Sequence, residues 1–187
     1  MGETEPKNIP PEPAQEPPKE KTDAGEDRHR KRVAGYLEIL KDRNLNYRWR
    51  AAEALGDLGD PEAVGPLIEA LRDPFVDVQW LAAKSLGKIG DPRALVPLLE
   101  AIKSPDKWLR TGAAWGLGKL RDPRGIEPLI GLLKDPKKIV RKNAAWALGN
   151  IGDSRAVPAL TESLKDPDGE VRDAAKAALD SLSGNSR

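Results

Sequence analysis

The chain has 187 residues, with 31 Lys or Arg against 30 Asp or Glu, a formal net charge of +1, and no cysteine. That balance excludes a global field drawing it to nucleic acid or membrane, and the missing cysteine excludes disulfides, thiolate catalysis and Cys-ligated metal. No apolar run approaches the roughly 20 residues that span a bilayer, and the start is acidic and proline-rich where a signal peptide is basic and then apolar, so a soluble cytoplasmic protein without a membrane segment is expected.

In chain order, residues 1–27 hold Pro6, Pro10, Pro11, Pro13, Pro17 and Pro18 among Glu, Lys and Gln, with Ile9 the only large apolar side chain after Met1. Such a stretch buries too little apolar surface to offset the entropy of ordering it, and reads as a disordered, extended tail. A basic run from Arg28 to Arg32, containing the only histidine, His29, then opens the first helix.

From residue 29 the sequence repeats every 31 residues: about 29–59, 60–90, 91–121, 122–152 and 153–184, with 185–187 a disordered end. One fixed period without insertion is the signature of a stacked array. Each repeat reads as two helices. Asp60-Pro61, Asp91-Pro92, Asp122-Pro123 and the softened Asp153-Ser154 offer an N-cap followed by the first helical residue. Asp73-Pro74, Ser104-Pro105, Asp135-Pro136 and Asp166-Pro167 offer the same device in mid-repeat. Gly59, Gly90 and Gly152 are placed to stop the second helices in a left-handed conformation, with Arg121 the exception. In the second helix of repeat one, Tyr47, Ala51, Ala52, Leu55 and Leu58 form the expected core face. Paired alanines such as Ala82-Ala83 allow neighbouring helices to approach, and Lys176, Asp180, Ser181 and Ser183 give the last helix a polar outer face.

The pattern Asp-Pro-x-Ala-Val-x-Pro-Leu-Ile-x-Ala-Leu-x-Asp-Pro-x-x-x-Val-Arg-x-x-Ala-Ala-x-Ala-Leu-Gly-x-Ile-Gly resembles the HEAT-like repeat of the phycobilin lyase family over about residues 32–183. The resemblance implies an all-α fold, a right-handed α-solenoid of five two-helix repeats over residues 28–184, with first helices convex and second helices concave. It says little of function, because that repeat serves as a scaffold in many unrelated proteins.

Catalysis finds no support in the residues. One histidine gives neither a metal cluster nor a nucleophile–base pair. Deoxyhypusine hydroxylase, built from related repeats, needs His-Glu ligand pairs that this chain lacks. No cofactor or metal site is expected, and the chain reads as a non-enzyme. Arg48, Arg110, Arg141 and Arg172 share one repeat position, broken by Gln79. They read as an inter-repeat ladder bonding loop carbonyls or acids such as Asp60, Asp91 or Asp122, with a phosphate-reading stripe as the alternative.

The tryptophans stand apart. Trp49 and Trp80 share one repeat position, Trp115 and Trp146 another, and Trp108 a third; every one falls on the stripe of the second helices opposite the core. Interleaved with them are Arg50, Lys84, Lys88, Lys119 and Lys142. Aromatics on a face the core does not need suggest an exposed apolar strip and a binding surface, weighed against indoles that only pack on one another and on lysine stems. The reading is a protein- or peptide-binding scaffold using this concave groove, as a monomer or as a homodimer closed through the Trp strip. Nucleic-acid binding, by analogy with DNA-alkylation glycosylases of HEAT-like build, and a chromophore-lyase subunit are the alternatives.

Overall fold

The structure, a computed structural model, describes residues 23–184. The first 22 residues of the expected tail and the expected end at 185–187 lie outside the described residues. The first helix, α1 (Asp23–Ile39), begins five residues before the boundary expected at residue 28. Its opening turns hold themselves together with local ion pairs: Asp27 to Lys31 at 2.7 Å and Glu26 to Arg30 at 3.8 Å, each four residues apart. Acids near a helix N-terminus also meet the positive end of its dipole. The apolar pattern, which starts only at Val33, does not report these turns.

Nine further α-helices follow: α2 (Leu45–Leu58), α3 (Val64–Ala70), α4 (Val76–Ile89), α5 (Leu95–Ala101), α6 (Lys107–Leu120), α7 (Ile126–Leu132), α8 (Lys138–Ile151), α9 (Val157–Ser163) and α10 (Gly169–Gly184). With α1 they make five helix pairs, and no strand occurs among the described residues. The Asp-Pro starts of repeats two to four do cap, but they open a single 3-10 turn before α3, α5 and α7. Asp60, Asp91 and Asp122 each accept the backbone N–H two residues on, at 2.8, 2.8 and 2.9 Å. Asp153 does the same for Arg155 at 2.9 Å, without help from a proline.

The mid-repeat Asp-Pro pairs differ from the sequence expectation. Asp73 is not the N-cap of α4; that position is Phe75, and Asp73 accepts from Phe75 N at 2.9 Å to close the preceding turn. Its remaining capacity goes to an arginine, described below. At the other end, Gly59, Gly90 and Gly152 have φ of 70°, 75° and 82°, and Arg121 fills the same left-handed stop at φ 53°.

Val33, Val64, Leu67, Leu86, Leu98, Leu117, Ile126, Leu129, Leu148 and Leu160, with the alanine pairs, make one continuous buried core. Tyr47, expected on the core face, is 51% exposed. The same repeat position is buried in Val78, Leu109, Val140 and Val171, each of which has a preceding repeat against it; Tyr47 has none. Each second helix packs along the next, from α2 to α10, whereas each first helix packs mainly on the second helix of its own pair. The second helices are therefore the closer-spaced layer, which puts them on the inside of the stack's curve.

Their closeness rests on small residues. A Cβ at Gly87 would lie 2.5 Å from the Cα of Gly116, and one at Gly149 would lie 2.8 Å from the Cα of Ala178. In the last repeat these contact positions hold Lys176 (for the buried Ala52, Ala83, Ala114 and Ala145) and Asp180 (for the buried Gly56, Gly87, Gly118 and Gly149), both exposed with Ser181 and Ser183. A further repeat stacked in the same register would press a lysine and an aspartate into a backbone contact, so the outer face of α10 caps the stack.

Candidate functional site

The arginine column is a structural clamp. Arg48 Nε donates to Asp73 Oδ2 at 2.7 Å and Nη2 to Oδ1 at 3.1 Å, while Nη1 reaches the carbonyls of Asp42 and Arg43. Arg110 binds Asp135 at 2.7 and 3.1 Å, and Arg141 binds Asp166 at 2.7 and 2.8 Å. Each two-pronged pair joins one repeat to the next and is nearly buried, as for Arg141 and Asp166 at 14% and 8% exposure. The partner acids are thus the mid-repeat Asp73, Asp135 and Asp166, not Asp60, Asp91 or Asp122. Those three are occupied by caps and neighbours: Asp91 pairs with Arg93, Asp122 with Arg124, and Asp60 with His29 at 2.9 Å.

Where arginine is missing, its acid is missing too. Gln79 donates to the Asp73 carbonyl at 2.6 Å, and the residue 25 positions on is Ser104 rather than aspartate. No acid is left facing an absent guanidinium. Arg172, in the last repeat, keeps only the carbonyl contacts, to Asp166 and Pro167.

Several acids are held below the ordinary carboxylate range. Hydrogen bonds from Arg141 lower Asp166, Lys138 lowers Asp168, Lys142 lowers Glu170, and Arg155 takes Asp153 down to about 2. Each folded-state value lies below the unfolded one, so the contribution to stability is complete above the unfolded carboxylate pKa of about 4 and is lost as pH falls through the depressed values. We expect a melting temperature that is level above about pH 5 and declines steadily from about pH 4 to about 2, with Arg155→Ala shallowing the decline. Melting temperatures that do not move in that acid window would refute it.

The tryptophan stripe resolves into three parts. On α4, α6 and α8, Trp80, Lys84, Trp115, Lys119 and Trp146 form one ladder. The Lys84 ammonium lies 4.6 Å from the Trp80 ring centroid and 5.4 Å from that of Trp115. Lys119 lies 5.2 Å from Trp115 and 5.8 Å from Trp146. Trp115 and Trp146 stack directly, 5.7 Å apart and 5° from parallel. Among the described residues no carboxylate lies within ion-pair distance of either lysine, so their charge is met only by indole faces.

Trp49 carries Arg50 over its ring at 5.3 Å, and with Leu45, Asn46, Glu53, Asp77 and Trp80 it lines a groove of about 340 Å³ beside the ladder. A second groove, about 420 Å³, lies on the other side between Trp115, Trp146, Lys142, Asn143, Glu170 and Asp173. Trp108 is not in the ladder. It sits at the loop edge, 44% exposed, under Lys107 at 5.0 Å, by a groove shared with Lys137 and Lys138.

The expected exposed strip is therefore only partly exposed: Trp49, Trp80, Trp115 and Trp146 are half-buried, three of them packed against the core. Two of the candidate cations are already spent. Lys88 pairs with Asp57 at 2.5 Å and Lys142 with Glu170 at 2.6 Å. Asp77, Glu170 and Lys107 were missed as site residues; all flank aromatics at repeat positions occupied elsewhere by tryptophan or next to one, and that neighbourhood was the available signal. Among the described residues no cluster of three or more His, Asp or Glu stands where it could hold a metal ion, and no helix is long and apolar enough to cross a membrane.

A family profile for HEAT repeats matches residues 33–110 and 95–180. Among solved structures, the complex of CpcE and CpcF of phycocyanin lyase from Nostoc sp. PCC7120 aligns with a TM-score of 0.73 at 26% identity, over 95% of this chain and 71% of that one. A designed armadillo repeat protein in complex with peptide (KR)4 aligns at 0.59 and 20% identity, over 87% and 95% of the two chains. An engineered protein aligns at 0.58 and 24%, over 81% and 79%. The last two likenesses concern the fold alone. No curated protein matches significantly.

Proposed function

Since the chain belongs to the HEAT-repeat family, we propose that it is a non-catalytic, cytoplasmic scaffold that binds a protein or peptide partner on the face of its second helices. The observation that carries this reading is the ladder of Trp80, Lys84, Trp115, Lys119 and Trp146. A core needs apolar bulk, and this chain builds the fully buried part of its core from Leu, Ile, Val and Ala, while its indoles stay outside that layer, four of them half-buried and three of those resting against it. Half-buried tryptophans held rigid by lysines lose little entropy on binding and present large contact areas, the properties of binding hot spots. Trp49, Arg50, Lys88, Lys142 and Trp108 flank the ladder and extend the surface. A likeness to one subunit of a two-protein lyase complex supports a partner-dependent role.

The test is affinity capture from the source cell with the full chain and with Trp80→Ala/Trp146→Ala, both checked for helix content. We expect the variant to lose at least about 2 kcal/mol of partner binding, some thirtyfold, as hot-spot truncation does. A partner retained undiminished on the folded variant would sink the proposal. The same experiment on a size-exclusion column reports whether the partner is a second copy.

A second reading, a subunit of a chromophore lyase, is favoured by the 26% identity to the phycocyanin lyase complex; visible absorbance of a pigment carried through purification would support it, and colourless protein would not. Nucleic acid fits less well, because Lys88 and Lys142 are already neutralised by Asp57 and Glu170.

A further inference from the structure

Resting on that reading, we infer that the ladder's first occupant is the chain's own segment 1–22, laid along Trp80, Lys84, Trp115, Lys119 and Trp146 in extended, polyproline-like form. Three observations lead there. The first is chemical. Lys84 and Lys119 are two cations of this face that no described carboxylate meets, and they alternate with indoles along the ladder. The matching ligand offers carboxylates between flat, rigid, apolar rings. Within residues 8–18 (Asn-Ile-Pro-Pro-Glu-Pro-Ala-Gln-Glu-Pro-Pro) stand five of the segment's six prolines, two glutamates and no basic residue. Proline rings dock on tryptophan-lined grooves because their conformation is set before binding and little entropy is lost.

The second observation is metric. A polyproline helix repeats every three residues, about 9.3 Å, close to the 8–10 Å between packed helices. One turn of ligand therefore advances about one helix of the array. Glu12 and Glu16, four residues apart, stand about 12 Å from one another in that conformation. Lys84 and Lys119 are one helix layer and one helical turn apart in the repeat lattice, likewise about 12 Å.

The third is reach. The segment ends at Asp23, where α1 begins, and α1 lies against the first repeat: His29 on α1 bonds Asp60 at the C-terminal end of α2. Twenty-two extended residues span up to about 70 Å. With Glu16 at the near end of the ladder, on the second repeat, the seven residues from it to Asp23 span up to about 23 Å back to α1, and the rest of the segment runs on over the ladder's three helix layers, about 20 Å.

Because the chain has no cysteine, Ala14→Cys gives one attachment point for a nitroxide in the otherwise intact protein. The reading is the attenuation of the tryptophan indole N–H signals against the reduced label. We expect those of Trp80, Trp115 and Trp146 to fall about threefold and that of Trp108, at the loop edge, to be spared. Lys84→Glu/Lys119→Glu should abolish the attenuation, and adding Glu12→Lys/Glu16→Lys should restore it. Equal attenuation of all five indoles, none at all, or indifference to the charge reversal would overturn the inference. So would attenuation passing fully to an unlabelled chain mixed with labelled protein, which would move the contact between molecules. Should partner capture depend on Trp80 and Trp146 while the label reports no docking, the binding role stands and this inference alone falls.

Discussion

Arg141→Ala is expected to destabilise the array by about 3 kcal/mol, the low end of what removing one partner of a buried ion pair costs. Asp166 is 8% exposed and receives two of its hydrogen bonds from Arg141, at 2.7 and 2.8 Å. The alanine leaves that carboxylate desolvated with no charged partner, only the Asp168 N–H still donating to it at 2.9 Å, and also frees the Asp135 carbonyl that Nη1 satisfies at 2.9 Å. Removing both charges is a different matter. Arg141→Gln/Asp166→Ser copies the arrangement at Gln79 and Ser104, where the amide alone serves the loop carbonyl. The double variant should recover most of the loss, because no unpaired charge remains. Urea unfolding, with hydrogen exchange of α8 and α10 to catch partial opening, measures both. A double variant as unstable as Arg141→Ala would mean that the cost lies in side-chain packing and not in the orphaned carboxylate.

Gly87→Ala is expected to cost about 2–4 kcal/mol, even though alanine is the better helix former by about 1 kcal/mol. The added Cβ would stand 2.5 Å from the Cα of Gly116 and 3.0 Å from its carbonyl oxygen. Both neighbours are backbone, so the strain is relieved only by parting α4 from α6 along their length. Gly35→Ala in α1 is the matched control, because nothing lies within 4 Å of a Cβ there. It should stabilise by up to about 1 kcal/mol. Thermal melts of the two single variants decide the matter. Equal shifts for both would remove the close backbone approach as a cause.

The period, the five helix pairs, the left-handed stops at Gly59, Gly90 and Gly152 and the polar outer face of α10 were legible because each is a local rule repeated in phase; Arg121, set apart in sequence for want of a glycine, takes the same left-handed stop. Tyr47 was misplaced because burial at its position depends on a preceding repeat, and no window of sequence within repeat one contains that fact. The acids of the clamp were misassigned for a related reason. Asp60 and Asp73 look equally available in sequence; only the packing of successive pairs brings Asp73 under Arg48 and leaves Asp60 to cap its own turn. In the candidate site, the stripe of tryptophans could be read from helical spacing. That Lys84 and Lys119 rest on indoles while Lys88 and Lys142 meet Asp57 and Glu170 could not, since one turn along a helix decides which neighbour is in reach.

The coupled replacement at Gln79 and Ser104 gives one junction of the array a different mechanical character. Three seams are fastened by opposite charges, whose attraction decays slowly and still pulls when the surfaces are ångströms apart. The seam between α4 and α6 is held by glycine against glycine with a lysine laid across two indoles above it. Dispersion contact of that kind loses a quarter to a half of its strength within about 1 Å of separation. The seam between the second and third repeats therefore lacks the longer-ranged pull of an arginine–aspartate pair, and a bending force is expected to part it over a shorter distance than the other three.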